Sequence, residues 1–406
     1  MGKIRRLMKK VITLYRDKGL DGVMQRIEAE GQKIDIYNFY GFTVNREIIP
    51  LNEAEKKEVG DTIVVNWVIP DIGVGSGGHL NIFRFIANLE DMGLHNRIYL
   101  YESRKFQNDE EFRAFLKEYY GTTLHNENIE SYNDVVGMKY AHATIATGWQ
   151  TANYVRRFEN TLTKFYFVQD FEPFFYPMGS EYLLAENTYK YGFRGITAGD
   201  WLKNKLHDEY GMETDSFHFS YDKDIYQKHE KRDDKKRVFF YARPVTPRRA
   251  FELGLLTLIE LHKRVPELEV IFAGWDVSNY EIPFIHLNAG SLKLEELPDL
   301  YAQCDMCLVM STTNLSLLPL EIMASNSVVV CPRGKNNEWM LNEENSIQVS
   351  YDPVEIADTM AYYFDHPEEL QIKRDNGLEF VKHTSWEQEA KKVYDIILKG
   401  IREDGK

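Results

Sequence analysis

Strand-like and helix-like segments alternate along this chain twice, and that double alternation limits the folds open to it more than any other feature. Between residue 60 and about 220, apolar runs suited to strands fall at 63–69, 97–101, 143–147, 164–169 and 194–198. Helical periodicity lies between them at 79–92, 109–119, 149–158, 179–189 and 200–210. Residues 222–237, "DKDIYQKHEKRDDKKR", are charged, lack a core pattern and read as a linker. The alternation then resumes, with strands expected at 238–242, 268–273, 283–287, 306–310 and 327–331 and helices at 249–264, 295–303, 318–325 and 353–364. Strands separated by helices imply right-handed crossovers and a parallel sheet. The expectation is therefore an α/β chain of two doubly wound, Rossmann-like halves facing a cleft. Ligands bind at the carboxyl ends of such sheets.

The expected units are a lead-in over 1–60, a first domain over 61–224, a second over 225–384 and a closing segment over 385–406. That closing segment contains "SWEQEAKKVYDIILKGI", whose Trp386, Ala390, Val393 and Ile397 share one helical face. A length of 406 residues accommodates two such domains. Net charge is −14, which argues against a nucleic-acid partner. Residues 1–18 run against that balance with seven Lys or Arg and one Asp. Ile4, Leu7, Met8, Val11, Ile12 and Tyr15 line one helical face there, the pattern of a helix that lies on an anionic membrane surface. No spanning run and no secretion-type apolar segment are evident, so a cytoplasmic protein, peripheral on the inner face of the membrane, is expected. Three cysteines are too few for a disulfide framework.

Four stretches carry chemistry. In "PDIGVGSGGHLNIFRF", residues 70–85, four glycines and Ser76 separate a strand from a helix that begins near His79. Glycines there let backbone approach a ligand closely, and helix-start N–H groups favour an anion. In "FFYARPVTPRRAFELG", residues 239–254, Arg243 follows a strand, and Arg248 and Arg249 stand at the mouth of the next helix. Guanidinium groups so placed suit phosphate oxygens. In "STTNLSLLPLEIMASN", residues 311–326, a polar loop runs into a helix starting near Pro319, with Glu321 in its first turn. A carboxylate there can accept two vicinal hydroxyls. In "FYFVQDFEPFFYPMGSEY", residues 165–182, Gln169, Asp170 and Glu172 emerge from a strand among the aromatics Phe174, Phe175 and Tyr176. An acid at that end can take a proton from an acceptor hydroxyl, and the rings can carry the flat face of a sugar.

The run Arg243–loop–Arg248 followed by "PLEIMAS", the pair Gly77–Gly78 and the terminal "SWEQEAKKVYDII" together resemble the retaining glycosyltransferases of family 4, which have the GT-B fold. "PDIGVGSGGHLNIFRFIANLEDMG", "YFVQDFEPFFYPMG" and "YARPVTPRRAFELG" are most similar to bacterial rhamnosyltransferases like WsaF. The resemblance covers nearly all of 60–400 and implies a helix that crosses back to the first domain. It further implies transfer of L-rhamnose from dTDP-β-L-rhamnose to a hydroxyl of a growing surface glycan, free or lipid-linked, without metal or cofactor. The implied donor set is Gly77, Gly78, His79, Arg243, Arg248, Ser316, Leu317 and Glu321. Asp170 is the implied catalytic acid, with Gln169, Glu172 and Phe174 toward the acceptor.

Departures from the pattern are equally specific. The family's Glu-x7-Glu pair keeps its second member as Glu321, but Thr313 stands at the first. The family's helix-start lysine is Arg248, and a lysine of the rhamnosyltransferase branch is Ser291, with Lys293 nearby. A UDP- or GDP-hexose donor is the alternative within the class. Outside it, Gly73-x-Gly75-x-x-Gly78 with Glu102 about 20 residues beyond would suit an NAD-dependent oxidoreductase. That reading gives no role to Arg243, Arg248 or Glu321. Cys304-x-x-Cys307 and Asp222-Lys223-Asp224 resemble metal motifs, but one straddles a helix end and a buried strand and the other lies in the linker.

Overall fold

The computed structural model describes residues 34–73, 76–101, 105–106, 108–122, 124 and 137–405. The basic segment 1–18 and Glu102 lie outside them. Two six-stranded sheets form, and every strand pair in them is parallel. The first contains β1 (Val64–Pro70), β2 (His95–Tyr101), β3 (Ala141–Ala146), β4 (Thr161–Val168), β5 (Arg194–Ala198) and β6 (Thr214–Phe217). The second contains β7 (Arg237–Tyr241), β8 (Glu269–Ala273), β9 (His286–Gly290), β10 (Met306–Leu308), β11 (Val328–Pro332) and β12 (Ile347–Val349).

Strand order is β2-β1-β3-β4-β5-β6 in the first sheet and β12-β11-β10-β7-β8-β9 in the second. Each order reverses direction at one place, between β1 and β3 and between β7 and β10. Crossovers leave to opposite faces at such a point and open a crevice at the strands' carboxyl ends. The crevice residues are thus fixed by topology: the turn after Pro70 and the one after Ala146 in the first half, Arg243 and the 309–317 loop in the second.

Helices cover both faces of each sheet, so central strands are apolar throughout. Val64, Val65, Trp67, Val68 and Ile69 are all buried in β1. The helix Gly77–Asp91 buries Ile82, Phe83, Phe85, Ile86 and Leu89, which aims its glycine-bearing N-terminus at the crevice. The closing helix Trp386–Asp404 is capped by Ser385, whose Oγ accepts the Gln388 N–H, and buries Trp386, Ala390, Val393 and Ile397. It returns to the first sheet, as expected. Gly400 sits where a Cβ would lie 2.5 Å from Phe165 Cζ, and Asp404 accepts from Arg194 Nη2 at 2.8 Å.

Several expectations need correction. β9 is displaced from 283–287 to 286–290, and β6, β12, the helices Ile36–Val44 and Glu53–Val59 and the helix Pro367–Lys382 are additional. The helix expected from 249 begins at Phe251, after a 3-10 turn Pro247–Arg249 and an Ala250 held at φ 46°. Residues 222–236 carry no helix or strand, as a linker should. They are nonetheless pinned by Lys231–Asp305 at 2.7 Å and Arg232–Asp299 at 2.5 Å. Cys304, Cys307 and Cys331 are buried, free thiols, and burial pushes the last two up to about 12.

The halves also touch at a second point along the cleft. Gly199, at φ +82°, follows β5 directly and lies under the Trp339 indole, 2.3 Å from where a Cβ would stand. Gly199→Ala therefore combines left-handed backbone strain with overpacking. It is expected to cost about 2–4 kcal/mol in urea unfolding; an unchanged midpoint would show that the indole moves aside freely.

Candidate active site at the facing crevices

Asp170 stands two residues past β4 and is only 6% exposed. Its Oδ1 accepts the Phe171 N–H at 2.8 Å. Burial pushes its pKa up; Arg248, the Thr313 hydroxyl, the Phe171 N–H and Arg249 pull it back. Three of those four come from the second half, so the charge on this acid depends on the halves being together. Thr313 is fully buried beside Asp170, its Oγ1 without a partner of good hydrogen-bond geometry.

The neighbouring Gln169 ties the glycine turn to this point. Its Nε2 donates to the Gly78 carbonyl at 2.9 Å, and its Oε1 accepts from Asn81 at 3.2 Å. A Cβ on Gly78 would lie 3.5 Å from Gln169 Nε2, and one on Gly77 would lie 3.6 Å from Ser316 Oγ across the cleft. The glycine pair thus keeps its N-terminal backbone open while facing the second half's loop. Its neighbour His79 contacts Ser76 Oγ at 2.9 Å and the Pro70 carbonyl, and burial lowers its pKa to about 4, so the ring is neutral near pH 7.

On the second half, Arg243 leaves β7 half-buried, beside the face of Trp275 at 5.9 Å. Arg248 reaches over the Phe175 ring of the first half at 4.8 Å. Arg249 is buried instead: its Nη1 donates to the Asn314 carbonyl at 3.2 Å, and burial beside Arg248 lowers its pKa to about 10. Ser316 occupies the left-handed region at φ +60°, and Leu317 is buried at the start of the helix Leu318–Ala324. Glu321, in that helix's first turn, is half-buried, and burial pushes its pKa up to about 7 against the pull of Arg84 and the Tyr226 hydroxyl. Arg84 belongs to the glycine-led helix and stacks on Trp386 at 4.5 Å. Asp222 also faces this group, so part of the supposed metal motif serves to balance Arg84.

Geometry thus brings together Gly77, Gly78, Gln169, Asp170, Arg248 and Ser316. Glu172 points elsewhere: its carboxylate accepts the Trp149 N–H at 2.8 Å and the Tyr166 hydroxyl at 2.7 Å, beneath the β1/β3 crevice. Phe174 packs edge-on to Phe171 at 4.7 Å, leaving Phe175 as the ring under Arg248. Asn314, Arg84 and Tyr226 escaped the sequence reading, and Arg249, read there with Arg248 as a phosphate ligand, is buried against the Asn314 carbonyl instead. Among the described residues no cluster of His, Cys, Asp and Glu could hold a metal ion.

Buried Glu172 makes stability pH-dependent. Burial raises its pKa from 4.5 to about 7, so the folded form binds the extra proton between those values. Its contribution is whole below pH 4.5 and is lost as pH rises through about 7. Glu172→Gln should therefore gain stability relative to the parent between pH 5 and pH 8, by at most about 3 kcal/mol. Urea titrations at the two pH values check this; a constant difference would mean that the carboxyl is ionised throughout.

Comparison with known proteins supplies the remaining context. Residues 74–198 match the family model described as WsaF, N-terminal domain, and residues 236–361 match that described as WsaF, C-terminal domain. Together they span more than half of the chain. The O-antigen biosynthesis protein RfbC of Myxococcus xanthus is 29% identical over 395 residues, covering 94% of this chain and 30% of its own length. This chain thus spans less than a third of that relative. Sucrose-phosphate synthase of Thermosynechococcus elongatus superposes with a TM-score of 0.63 at 13% identity, over 83% of this chain and 98% of its own. Anabaena HepE in complex with UDP-glucose gives 0.62 at 13%, over 82% and 99%. Staphylococcus aureus TarM gives 0.64 at 9%, over 83% and 100%.

Proposed function

Because the chain belongs to the WsaF family of GT-B glycosyltransferases, we propose that it transfers L-rhamnose from dTDP-β-L-rhamnose to a hydroxyl of a growing surface glycan, with retention. The observation that carries this reading is the pairing across one cleft of a buried acid, Asp170, with Arg248 and a glycine-led helix start. Similarity to the O-antigen biosynthesis protein RfbC supports a polysaccharide product. Thr313 at the first Glu-x7-Glu position supports a donor other than the glucose- or mannose-type sugars that the acid commonly contacts.

In this reading Arg243 and Arg248 neutralise the leaving diphosphate, the N–H groups of Gly77 and Gly78 close over it, and Glu321 holds the ribose hydroxyls. Ser316 and Leu317 line the donor, and neutral His79 accompanies it without adding charge. The bond from the anomeric carbon to the diphosphate oxygen breaks, and a bond to the acceptor oxygen forms on the same face. The acceptor proton passes to Asp170. Preorganised positive charge on the leaving group is the main catalytic contribution. Phe175, stacked under Arg248, is the ring placed to meet the sugar, in preference to Phe174.

Arg243→Ala and Arg248→Ala are each expected to weaken dTDP binding by about 1.5–3 kcal/mol in calorimetry. A thermal-shift panel of dTDP, UDP, GDP and NAD on the parent identifies the nucleotide by mass action. Stabilisation by UDP or GDP in place of dTDP would replace the rhamnosyl donor by a hexose, and stabilisation by NAD alone would remove the transferase reading.

Asp170→Asn keeps the volume and removes the charge. Donor binding should persist while transfer to a short rhamno-oligosaccharide falls by about 10²–10⁴-fold. Transfer at the parent rate would leave the departing diphosphate as the base.

A further inference from the structure

We infer that Asn314 is a positioning residue that assembles the catalytic acid only when the two halves are closed. The inference rests on the reading of Asp170 as that acid. Every polar group of Asn314 is engaged, and each bond leads to a different part of the site. Its backbone N–H points at Asp170 Oδ2 at 3.5 Å. Its side-chain Nδ2 donates across the cleft to the Gln169 carbonyl at 2.5 Å. Its Oδ1 accepts the Ser316 N–H at 2.9 Å, the turn that holds Ser316 in its left-handed conformation opposite Gly77. Its carbonyl accepts from Ser311 Oγ at 2.8 Å and from buried Arg249 at 3.2 Å.

Asparagine at this position is a matter of chemistry. The side chain must donate to a carbonyl on one half and accept from an N–H on its own loop at the same time, which an amide does and neither a carboxylate nor an alkyl group can. At 8% exposure, neither bond can be handed to bulk water without cost. The residue also links the two functional ends. Gln169, whose carbonyl it holds, carries the glycine turn through Gly78 and Asn81. Arg249, which its carbonyl holds, adjoins Arg248. Separation of the halves would break the Gln169 and Asp170 contacts and withdraw Arg248 and Arg249 from the acid in one step. Asp170 would then be an acid without its counter-charges.

The groups facing Asp170 are Arg248, Arg249 and the Thr313 hydroxyl from the second half, Glu172 from its own loop and Tyr189 after the helix Ser180–Thr188. Asn314→Asp would add a second carboxylate to that set in nearly the same volume. The test measures transfer from dTDP-β-L-rhamnose to a rhamno-oligosaccharide by Asn314→Ala and Asn314→Asp, with Asp170→Asn alongside. Asn314→Ala should lower kcat about 10–100-fold, the effect of slight misplacement, with the donor KM changed less than threefold. Asn314→Asp should move the acid limb of the kcat/KM profile up by about one pH unit. A parent kcat and an unmoved limb in both variants overturn the inference while Asp170→Asn remains inactive. If Asp170→Asn is itself fully active, the reading beneath it has failed instead. If Asn314→Ala does not fold, the pH limb of the near-isosteric Asn314→Asp decides alone.

Discussion

A carboxylate cannot be buried cheaply unless cations come with it. Asp170 meets that requirement with charges it does not own: Arg248 and Arg249 belong to the other half of the molecule. The acid is supplied at the end of β4 and its counter-charge by the turn after β7, so electrostatic balance exists only across the cleft. On the proposed reading of Asp170, closure and catalytic competence are thereby the same event. The cost of an unpaired buried acid disfavours a half-closed form, and Arg249, buried beside Arg248, has the converse need for Asp170. Each half presents a charge that the other neutralises, and the diphosphate proposed between them adds negative charge where Arg243 and Arg248 are in excess.

Topology explains why these groups meet at all. Parallel sheets put all their carboxyl ends on one side, and the two strand orders each open a crevice there. Facing the two sheets then opposes the glycine turn after β1 with the 309–317 loop after β10, as the approach of Gly77 to Ser316 records. The closing helix secures the arrangement from behind. Trp386 lies under Arg84, and Arg84 in turn faces Glu321 of the second half, so the returning helix bears on the proposed ribose carboxylate through a single intermediate side chain.

The long, apolar elements were legible in the sequence because burial on both faces imposes a plain pattern; β5 and the helix Asp200–Tyr210 coincide with their expected ranges. Most of what escaped was short or largely polar. β6 has four residues and β12 three, too few for a period. The helix Pro367–Lys382 buries only Leu370, Gly377 and Val381, leaving no stripe to read. β9 lies at an exposed sheet edge, so the more apolar residues just before it drew the expected range forward. For the site, strand-end position drew attention to the glycine turn, the three arginines and the acids at 170 and 172, and the family resemblance singled out Gly77, Gly78, Arg248 and Asp170 among them. Neither could say that Glu172, two residues on, turns inward to a helix start, or that Arg249 is the buried partner and Arg248 the one over Phe175. Asn314 stood in a run of serine, threonine and asparagine indistinguishable from an ordinary turn, because its significance lies in a residue 145 positions away.

The substitution at Thr313 fits the same electrostatic frame. Its side chain is buried against Asp170, with Glu172 behind, and both carboxyls are already raised by burial. A glutamate at 313 would place another carboxylate beside Asp170, and like charges at that separation cannot both remain ionised without further cations. Arg248 and Arg249 are the cations available, and Arg248 is the one the proposed diphosphate needs. A hydroxyl at 313 adds no further negative charge beside Asp170 and leaves Arg248 free to divide its charge between the acid and the proposed leaving group. The absence of the family's first acid and the burial of Asp170 on the opposite half belong, on this argument, to one charge balance.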